Sequence, residues 1–112
     1  MMNTIRPILV LLVLVFLSAG AMAQNRYSRS ADESFTDQQY SLALKKYQKA
    51  YSRAKKNKEE RERISFQMAE CYRMMNNTKR SEIAYKRLLS GKLINKQPKI
   101  YLYYAEALKA NG

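Results

Sequence analysis

Histidine and tryptophan are absent from this sequence of 112 residues, and Cys71 is its only cysteine. A single cysteine excludes an intramolecular disulfide, and with it the small secreted folds that depend on several such bridges. Without histidine the chain lacks the commonest metal ligand and general base, and Cys71 has no second cysteine with which to hold zinc. No glycine-rich phosphate-binding loop occurs either. We therefore expect a protein that is not an enzyme and that binds no metal or cofactor.

Glycine, proline and acidic residues are also scarce. The sequence has 3 glycines and 2 prolines and lacks runs of alternating apolar and polar residues, so helices packing on helices are expected to form the core. Only 9 aspartate and glutamate residues stand against 21 lysine and arginine residues, which gives a formal net charge of +12. This excess predicts either a solvated basic face or a surface attracted to anionic lipid or envelope polymer.

The N-terminal segment has the pattern of a secretory signal peptide. Arg6 precedes an unbroken apolar run, and small residues follow it up to Ala23. A helix that spans a bilayer needs about 18 or more apolar residues, which is longer than this run. We therefore predict a signal peptide of residues 1–23, with cleavage between Ala23 and Gln24. The mature chain, residues 24–112, is expected to be exported to the periplasm or to associate with the outer membrane.

The rest of the chain has strong helical periodicity. In "SLALKKYQKAYSRAKK" the apolar residues fall at i, i+4, i+7, i+8 and i+11, while lysines and arginines take the other side. Similar spacing recurs in "ISFQMAECYRMM", "SEIAYKRLL" and "IYLYYAEALKA". Cys71 lies on one of these apolar faces, where a buried and unreactive thiol is expected.

Helix boundaries agree with this periodicity. Asn57, followed three residues later by Glu60, resembles a capping box and predicts that a helix begins near Lys58. The segment 76–78, "NNT", predicts a short turn, and Pro98 suits the first turn of the last helix. Together these signals predict an all-α protein of five helices.

One constant separation in sequence, which we call the repeat offset, relates two parts of the chain. The matched pairs are Ala31 and Ala69, Ala43 and Ser81, Tyr47 and Tyr85, and Ala50 and Leu88. Small residues at facing positions allow two antiparallel helices to approach closely, and the aromatic residue one turn later fills the space between that hairpin and the next. The repeat offset therefore predicts a stacked array of helix hairpins.

This pattern resembles the tetratricopeptide repeat, W-x2-L-G-x2-Y followed by A-x3-F and a closing proline. The first helices of the three units read Tyr27-x2-Ser30-Ala31-x2-Ser34, Ser65-x2-Met68-Ala69-x2-Tyr72 and Tyr101-x2-Tyr104-Ala105-x2-Leu108. The second helices read Ala43-x3-Tyr47 and Ser81-x3-Tyr85. The chain departs from the family pattern because alanine replaces glycine, tryptophan is absent, the first two units lack the closing proline, and the repeat offset is longer than the family's usual period.

The resemblance implies a tetratricopeptide-like solenoid of about two and a half repeats. Its units span approximately 25–56, 58–91 and 98–112, the last of them incomplete. The final helix then exposes tyrosines, so we expect a fragment of a longer protein, or self-association through this uncapped helix. A signal peptide followed by "ADESF", "AECYR" and "AEALKANG" also resembles the start of bacterial envelope proteins that carry an outer-membrane-protein-A-like domain.

In this fold type the first helices line a concave groove, so the resemblance implies a site for a protein or peptide partner in the cell envelope. The candidate groove residues are Asp32, Phe35, Phe66, Glu70, Arg73 and Glu106. Three of them are acidic and follow the small alanine of each unit, where they either form an acidic stripe or face solvent without a shared role. The expected function is a non-catalytic, protein-binding scaffold.

The alternative function is a basic module that binds anionic envelope polymer, a lipid surface or nucleic acid. The basic residues lie largely on the second helices and connecting turns, but exposed aromatic residues suited to base stacking are not interleaved with them. The export signal also argues against intracellular nucleic acid as the partner. Contact with a membrane is expected only through the signal peptide before cleavage.

Export provides the first testable prediction. Protein isolated from the envelope fraction of an expressing cell should have an intact mass that lacks residues 1–23, because the small residues before Gln24 form a cleavage site. Mass spectrometry measures this directly. A full-length mass recovered from a membrane pellet would contradict the prediction.

Overall fold

The computed structural model describes residues 26–112, so the predicted signal peptide and the cleavage site between Ala23 and Gln24 lie outside the described residues. The helices of the described part are α1 (Arg26–Thr36), α2 (Tyr40–Ala54), α3 (Lys58–Met74), α4 (Thr78–Leu88), α5 (Leu93–Lys96) and α6 (Lys99–Asn111). No strand occurs between residues 26 and 112. The prediction of an all-α protein is confirmed over this range.

Each long helix packs on its nearest long neighbour in the sequence. Helix α1 packs on α2, α2 on α3, α3 on α4, and α4 on α6, while the one-turn α5 contacts α3 and α6. Short turns reverse the chain between α1 and α2 and between α3 and α4, so each of these pairs is a helix hairpin. The described residues therefore form a helical, repeat-like arrangement of two hairpins followed by α6.

The turns of the two hairpins are related by the repeat offset found in the sequence. Gln38 and Asn76 both adopt the left-handed backbone conformation, with φ of 63° and 61°. In each turn the next residue donates its backbone N–H to the carbonyl oxygen five residues earlier, over 2.9 Å. Residues other than glycine seldom adopt a positive φ, although asparagine tolerates it better than most. The second hairpin thus reproduces the turn of the first in its hydrogen bonds as well as in its sequence position.

Two helices have asparagine side chains at their N-termini. The side chain of Asn57 accepts the backbone N–H of Glu60 over 3.1 Å, and α3 begins at Lys58 as predicted. The side chain of Asn77 accepts the N–H of Arg80 over 3.2 Å and caps α4 in the same way. Each bond satisfies a donor that the helix itself leaves free.

The core consists of two clusters that share α3. The first cluster is Ala31, Ala43, Tyr47, Ala50, Ile64 and Cys71. The second cluster is Phe66, Ala69, Tyr85, Leu88, Ile94 and Ile100. Every residue matched by the repeat offset is buried, as predicted for these positions. Because α3 is apolar on two sides, it joins the two hairpins.

Helix α5 was not expected, so the described residues contain six helices rather than five. The carboxylate of Glu62 on α3 accepts the backbone N–H of Leu93 at the start of α5, and Ile94 inserts into the second cluster. The residue at position 91, just before α5, is glycine. A Cβ at this position would lie 2.5 Å from a carboxylate oxygen of Glu62. A tertiary contact, rather than local periodicity, therefore fixes this helix.

The close approach of helices at alanine yields a prediction for stability. Ala43 and Ala69 have no exposed surface, so Ala43→Leu or Ala69→Leu should overpack a helix contact and lower the free energy of unfolding by about 1–3 kcal/mol. Urea titration followed by circular dichroism measures the loss. The exposed Lys45 provides a control, and Lys45→Ala should change stability by less than about 0.5 kcal/mol. Equal losses at Ala43 and Lys45 would show that the helix faces are assigned wrongly.

Candidate functional site

A tyrosine hydroxyl and a carboxylate meet where α1, α2 and α3 come together. Tyr47 on α2 has no exposed surface, and its hydroxyl donates to Oδ1 of Asp32 on α1 over 2.5 Å. From α3, the side-chain amide of Gln67 donates to the same hydroxyl over 3.1 Å, and Arg63 approaches Asp32 at 3.4 Å. We call Asp32, Tyr47, Arg63 and Gln67 the first junction. It joins the first hairpin to the helix that follows it.

The same arrangement recurs where α3, α4 and α6 meet. The hydroxyl of Tyr85 on α4 donates to Oε1 of Glu70 on α3 over 2.6 Å, and Arg73 pairs with the other carboxylate oxygen at 2.7 Å. The Arg73 guanidinium also lies 4.1 Å from the centre of the Tyr103 ring on α6, and that ring contacts Tyr85. We call Glu70, Arg73, Tyr85 and Tyr103 the second junction. Its tyrosine and its acid are matched to those of the first junction by the repeat offset.

Burial and hydrogen bonding hold the two buried tyrosines and Arg73 in fixed protonation states. Burial, reinforced by the bond to Asp32, raises the pKa of the Tyr47 hydroxyl, and burial with the bond to Glu70 does the same for the pKa of Tyr85. The hydrogen bond to Glu70 raises the pKa of Arg73. The tyrosine hydroxyls therefore remain donors, and the arginine remains a cation. None of these groups is poised to exchange a proton near neutral pH.

The buried thiol of Cys71 belongs to the first cluster, as the sequence indicated. Burial raises its pKa to about 12, and the nearby Glu70 carboxylate adds to the shift. Because the thiolate is the nucleophilic form of cysteine, this thiol is unreactive in the folded chain. It fills space in the core.

Helix α6 packs on α4 as α3 packs on α2. Ile100 and Ala107 of α6 are buried, as are Ile64 and Cys71 at the equivalent positions of α3. In both helices the residue three positions after the isoleucine contacts the buried tyrosine of the preceding hairpin. Helix α6 therefore has the place of a third first helix.

The side of α6 that faces away from α4 is not covered by any described residue. Tyr101 is 58% exposed, Leu102 is 57% exposed and Leu108 is 43% exposed. When Ile100 is aligned with Ile64, four residues of this side correspond to Phe66, Ala69, Glu70 and Arg73 of α3. The aligned residues, which we call the α6 face, are Leu102, Ala105, Glu106 and Lys109.

The structure separates the six candidate groove residues predicted from the sequence. Asp32 belongs to the first junction, whereas Glu70 and Arg73 meet in the second. Phe35 packs edge-on against Tyr40, with 5.2 Å between ring centres. The other two are Phe66, which is buried beneath the ammonium group of Lys99, and Glu106, which is exposed on the α6 face. The carboxylates of Asp32 and Glu70 are thus hydrogen-bonded within the hairpins. The carboxylate of Glu106 forms no hydrogen bond or ion pair with any residue in the range 26–112.

Several basic residues cover tyrosine rings, a feature that the sequence pattern does not reveal. The contacts join Lys49 and Arg53 to Tyr27, Arg61 to Tyr51, and Arg80 to Tyr72. The partners of each contact lie on neighbouring helices, so no periodicity along one helix could reveal them. Cation–π contacts of this kind draw the basic side chains onto the protein surface and away from free solution.

Clefts in the described part of the chain are open and lined by mixed side chains. One of them, about 590 Å³, lies between α2, α3 and α4 and includes Tyr51, Met68, Tyr72 and Arg87 in its walls. Within residues 26–112 no group of three or more acidic or cysteine side chains is arranged to hold a metal ion. No helix of that range is long and apolar enough to cross a membrane.

The second junction generates a prediction about stability. Tyr85→Phe removes a hydrogen bond to a carboxylate whose side chain is only 10% exposed, so the free energy of unfolding should fall by about 1.5–3 kcal/mol. Urea titration measures this change. Tyr72→Phe is the matched control, because the Tyr72 hydroxyl makes no hydrogen bond within residues 26–112, and its effect should be below about 0.5 kcal/mol. Similar losses for both substitutions would contradict the importance of the Tyr85 bond.

Comparison of the chain with protein-family models, with curated proteins and with solved structures finds no match. The tetratricopeptide resemblance therefore stays a prediction that rests on the residues and their spacing.

Proposed function

We propose that this chain is an exported, non-catalytic scaffold of the tetratricopeptide-like type, which binds another protein in the cell envelope. The observation that carries the proposal is the repetition of one hairpin. The same turn, the same pair of facing small residues and the same tyrosine–carboxylate bond recur at the repeat offset. Hairpins that repeat in this way build extended surfaces rather than enclosed pockets, and extended surfaces suit protein partners.

The exposed apolar side chains of α6 add support for a protein partner. Tyr101, Leu102 and Leu108 are large side chains that remain at least two-fifths exposed on a single helix. Contiguous exposed apolar side chains commonly mark sites of protein interaction. Tyrosine and leucine here bring apolar area, and the neighbouring Glu106 and Lys109 bring the polar groups that give such a site its specificity.

A binder of anionic polymer or lipid is the second candidate, and the charge of the chain favours it. Within residues 26–112 only Arg63, Arg73 and Lys96 form ion pairs with acidic side chains. The other basic residues leave a strongly positive surface along α2 and α4. Such a surface attracts polyanions at low ionic strength, but the attraction weakens steeply as salt is added.

Photocrosslinking distinguishes these two functions. A photoreactive amino acid in place of Tyr101 should yield a discrete protein adduct in expressing cells, because this position lies on the exposed side of α6. The same amino acid in place of the exposed Ser41 on α2 is the control and should yield none. The adduct should persist when the cells are equilibrated in about 0.5 M salt before irradiation, since apolar contacts resist screening.

A different set of results would support the basic-module function. If neither position yields a protein adduct, and the chain sediments with anionic vesicles at about 0.15 M salt but leaves them at higher salt, the basic-module function is correct and the scaffold is not.

A further inference from the structure

A cleft of about 590 Å³ lies between the two hairpins, along one side of α3. Helices α2 and α4 each pack on α3 and make little contact with each other. The α3 residues in the cleft include Arg61, Ser65, Met68 and Tyr72, which follow one another at helical spacing on a single face. Because α2 and α4 form the two walls, the cleft is bounded on both sides by helices of the described chain.

One end of this cleft is basic. Helices α3 and α4 run antiparallel, so the start of α3 lies beside the end of α4. The cleft is lined there by Lys58 and Arg61 of α3 and by Arg87 of α4, which we call the basic end. Ion pairs within residues 26–112 involve none of these three cations. Among the described residues that line the cleft Glu62 is the one acid, so the four charged side chains carry a net charge of +2.

The guanidinium group of Arg61 is held in place but is not fully bonded. Its central carbon lies 4.2 Å from the centre of the Tyr51 ring, and its Nη1 donates to the carbonyl oxygen of Lys55 over 3.2 Å. These two contacts fix the plane of the group. Its Nε–H is buried and finds no acceptor in the part of the chain that the structure describes. Buried donors nearly always have an acceptor in folded proteins, so the edge formed by Nε and Nη2 suits an acceptor that a ligand supplies.

We propose that the basic end binds the phosphate group of a phosphate monoester. Such a group carries a charge of about −1.5 to −2 at neutral pH, which matches the net charge of the lining side chains. Two of its oxygens accept from the Nε and Nη2 edge of Arg61, in the paired geometry that guanidinium forms with phosphate. Lys58 and Arg87 supply the remaining positive charge. A single carboxylate carries only one negative charge and would leave part of the basic end uncompensated.

The rest of the cleft suits the organic part of the ester. Met68 and Tyr72 line it farther along α3, and Ala84 lines it one turn before Arg87 on α4. A small soluble ester and a lipid headgroup share this chemistry, and binding assays separate the two sources. The inference goes beyond the proposed scaffold function, because the ligand is not a protein and no residue of α6 lines the cleft.

Nuclear magnetic resonance tests the site directly. Gly91 lines the cleft and is one of only 3 glycines in the chain, so its backbone amide signal is readily identified. Titration of the isotopically labelled full chain with glycerol phosphate in about 0.15 M NaCl should shift that signal. The Gly112 signal should stay in place, because Gly112 lies outside the cleft. Succinate, which carries a similar charge on two carboxylates, should shift the Gly91 signal far less at the same concentration.

Matched substitutions on α4 separate a defined site from general attraction of anions. Arg87→Gln should raise the dissociation constant for glycerol phosphate about tenfold or more, because it removes a charged donor from the cleft. Lys86→Gln removes the same charge from an exposed neighbour that does not line the cleft, and it should change the constant by less than about twofold.

Substitution of lysine for arginine tests the guanidinium edge. Arg61→Lys keeps the charge but removes the planar pair of donors, so it should weaken binding about fivefold or more. Arg53→Lys is the control, because Arg53 also covers a tyrosine ring but does not line this cleft. Arg87 is exposed, so the comparison of Arg87→Gln with Lys86→Gln decides the question even if Arg61→Lys fails to fold.

Vesicles identify the source of the ester. Phosphatidic acid carries a phosphate monoester in its headgroup, whereas phosphatidylglycerol carries a diester. If the ligand is a lipid, the chain should bind phosphatidic acid vesicles more tightly than phosphatidylglycerol vesicles of equal surface charge, and Arg87→Gln should remove the difference. Equal binding to the two kinds of vesicle, with the Gly91 shift retained, would identify a soluble ester.

Several results would overturn the inference. One is an unshifted Gly91 signal at about 20 mM glycerol phosphate together with equal binding to the two kinds of vesicle. Another is an equal loss of binding in Lys86→Gln and Arg87→Gln, which would indicate diffuse attraction to the basic surface. If succinate or a glutamate-rich peptide binds as tightly as glycerol phosphate, the cleft recognises carboxylates and the assignment to a phosphate monoester is wrong.

Discussion

The hydrogen bond between a buried tyrosine and a carboxylate fixes the geometry of each hairpin. A tyrosine hydroxyl removed from water needs an acceptor, and in each hairpin a carboxylate supplies it. The Glu70 carboxylate is itself largely buried and gains a donor in return, whereas the Asp32 side chain is 42% exposed. Tyr47 and Tyr85 each find an acid 15 residues earlier, across the hairpin turn. A helix displaced by one turn would leave the buried tyrosine hydroxyl without its acceptor. The bond therefore sets the register of the two helices. Contacts between alanine residues alone would specify that register poorly.

The two junctions also explain why the hairpins lie side by side. In the first, Gln67 and Arg63 reach back from α3 to a bond that is already formed between α1 and α2. In the second, the ring of Tyr103 reaches back from α6 and is covered by the guanidinium of Arg73. Each junction thus serves both the inside of a hairpin and its contact with the next helix. The chemistry at this outer contact differs, since one uses an amide and the other an aromatic ring.

Much of the helical arrangement could be predicted because it depends on local spacing. The repeat offset identified the facing small residues and the buried tyrosines, and Asn57 marked the start of α3. Helix α5 could not be predicted from local spacing, because its first backbone N–H is bound by Glu62, which lies 31 residues earlier in the sequence. Phe66 was expected in a groove because the first helices line the groove of the fold that the chain resembles, whereas in the structure it is buried in the second cluster. The carboxylates were recognised as a matched set, but a sequence pattern does not show which hydroxyl or arginine reaches each one.

The position of α3 in both core clusters affects how the chain folds. Its main contacts are with α2 before it and α4 after it, so most of its stabilising contacts join segments that are close in sequence. Closing such short loops costs little conformational entropy, and proteins with mostly local contacts fold rapidly. Folding can begin in either hairpin and spread to the other through α3. The shared helix thus makes two locally folded units cooperative, because neither can bury its side of α3 while that helix is unformed.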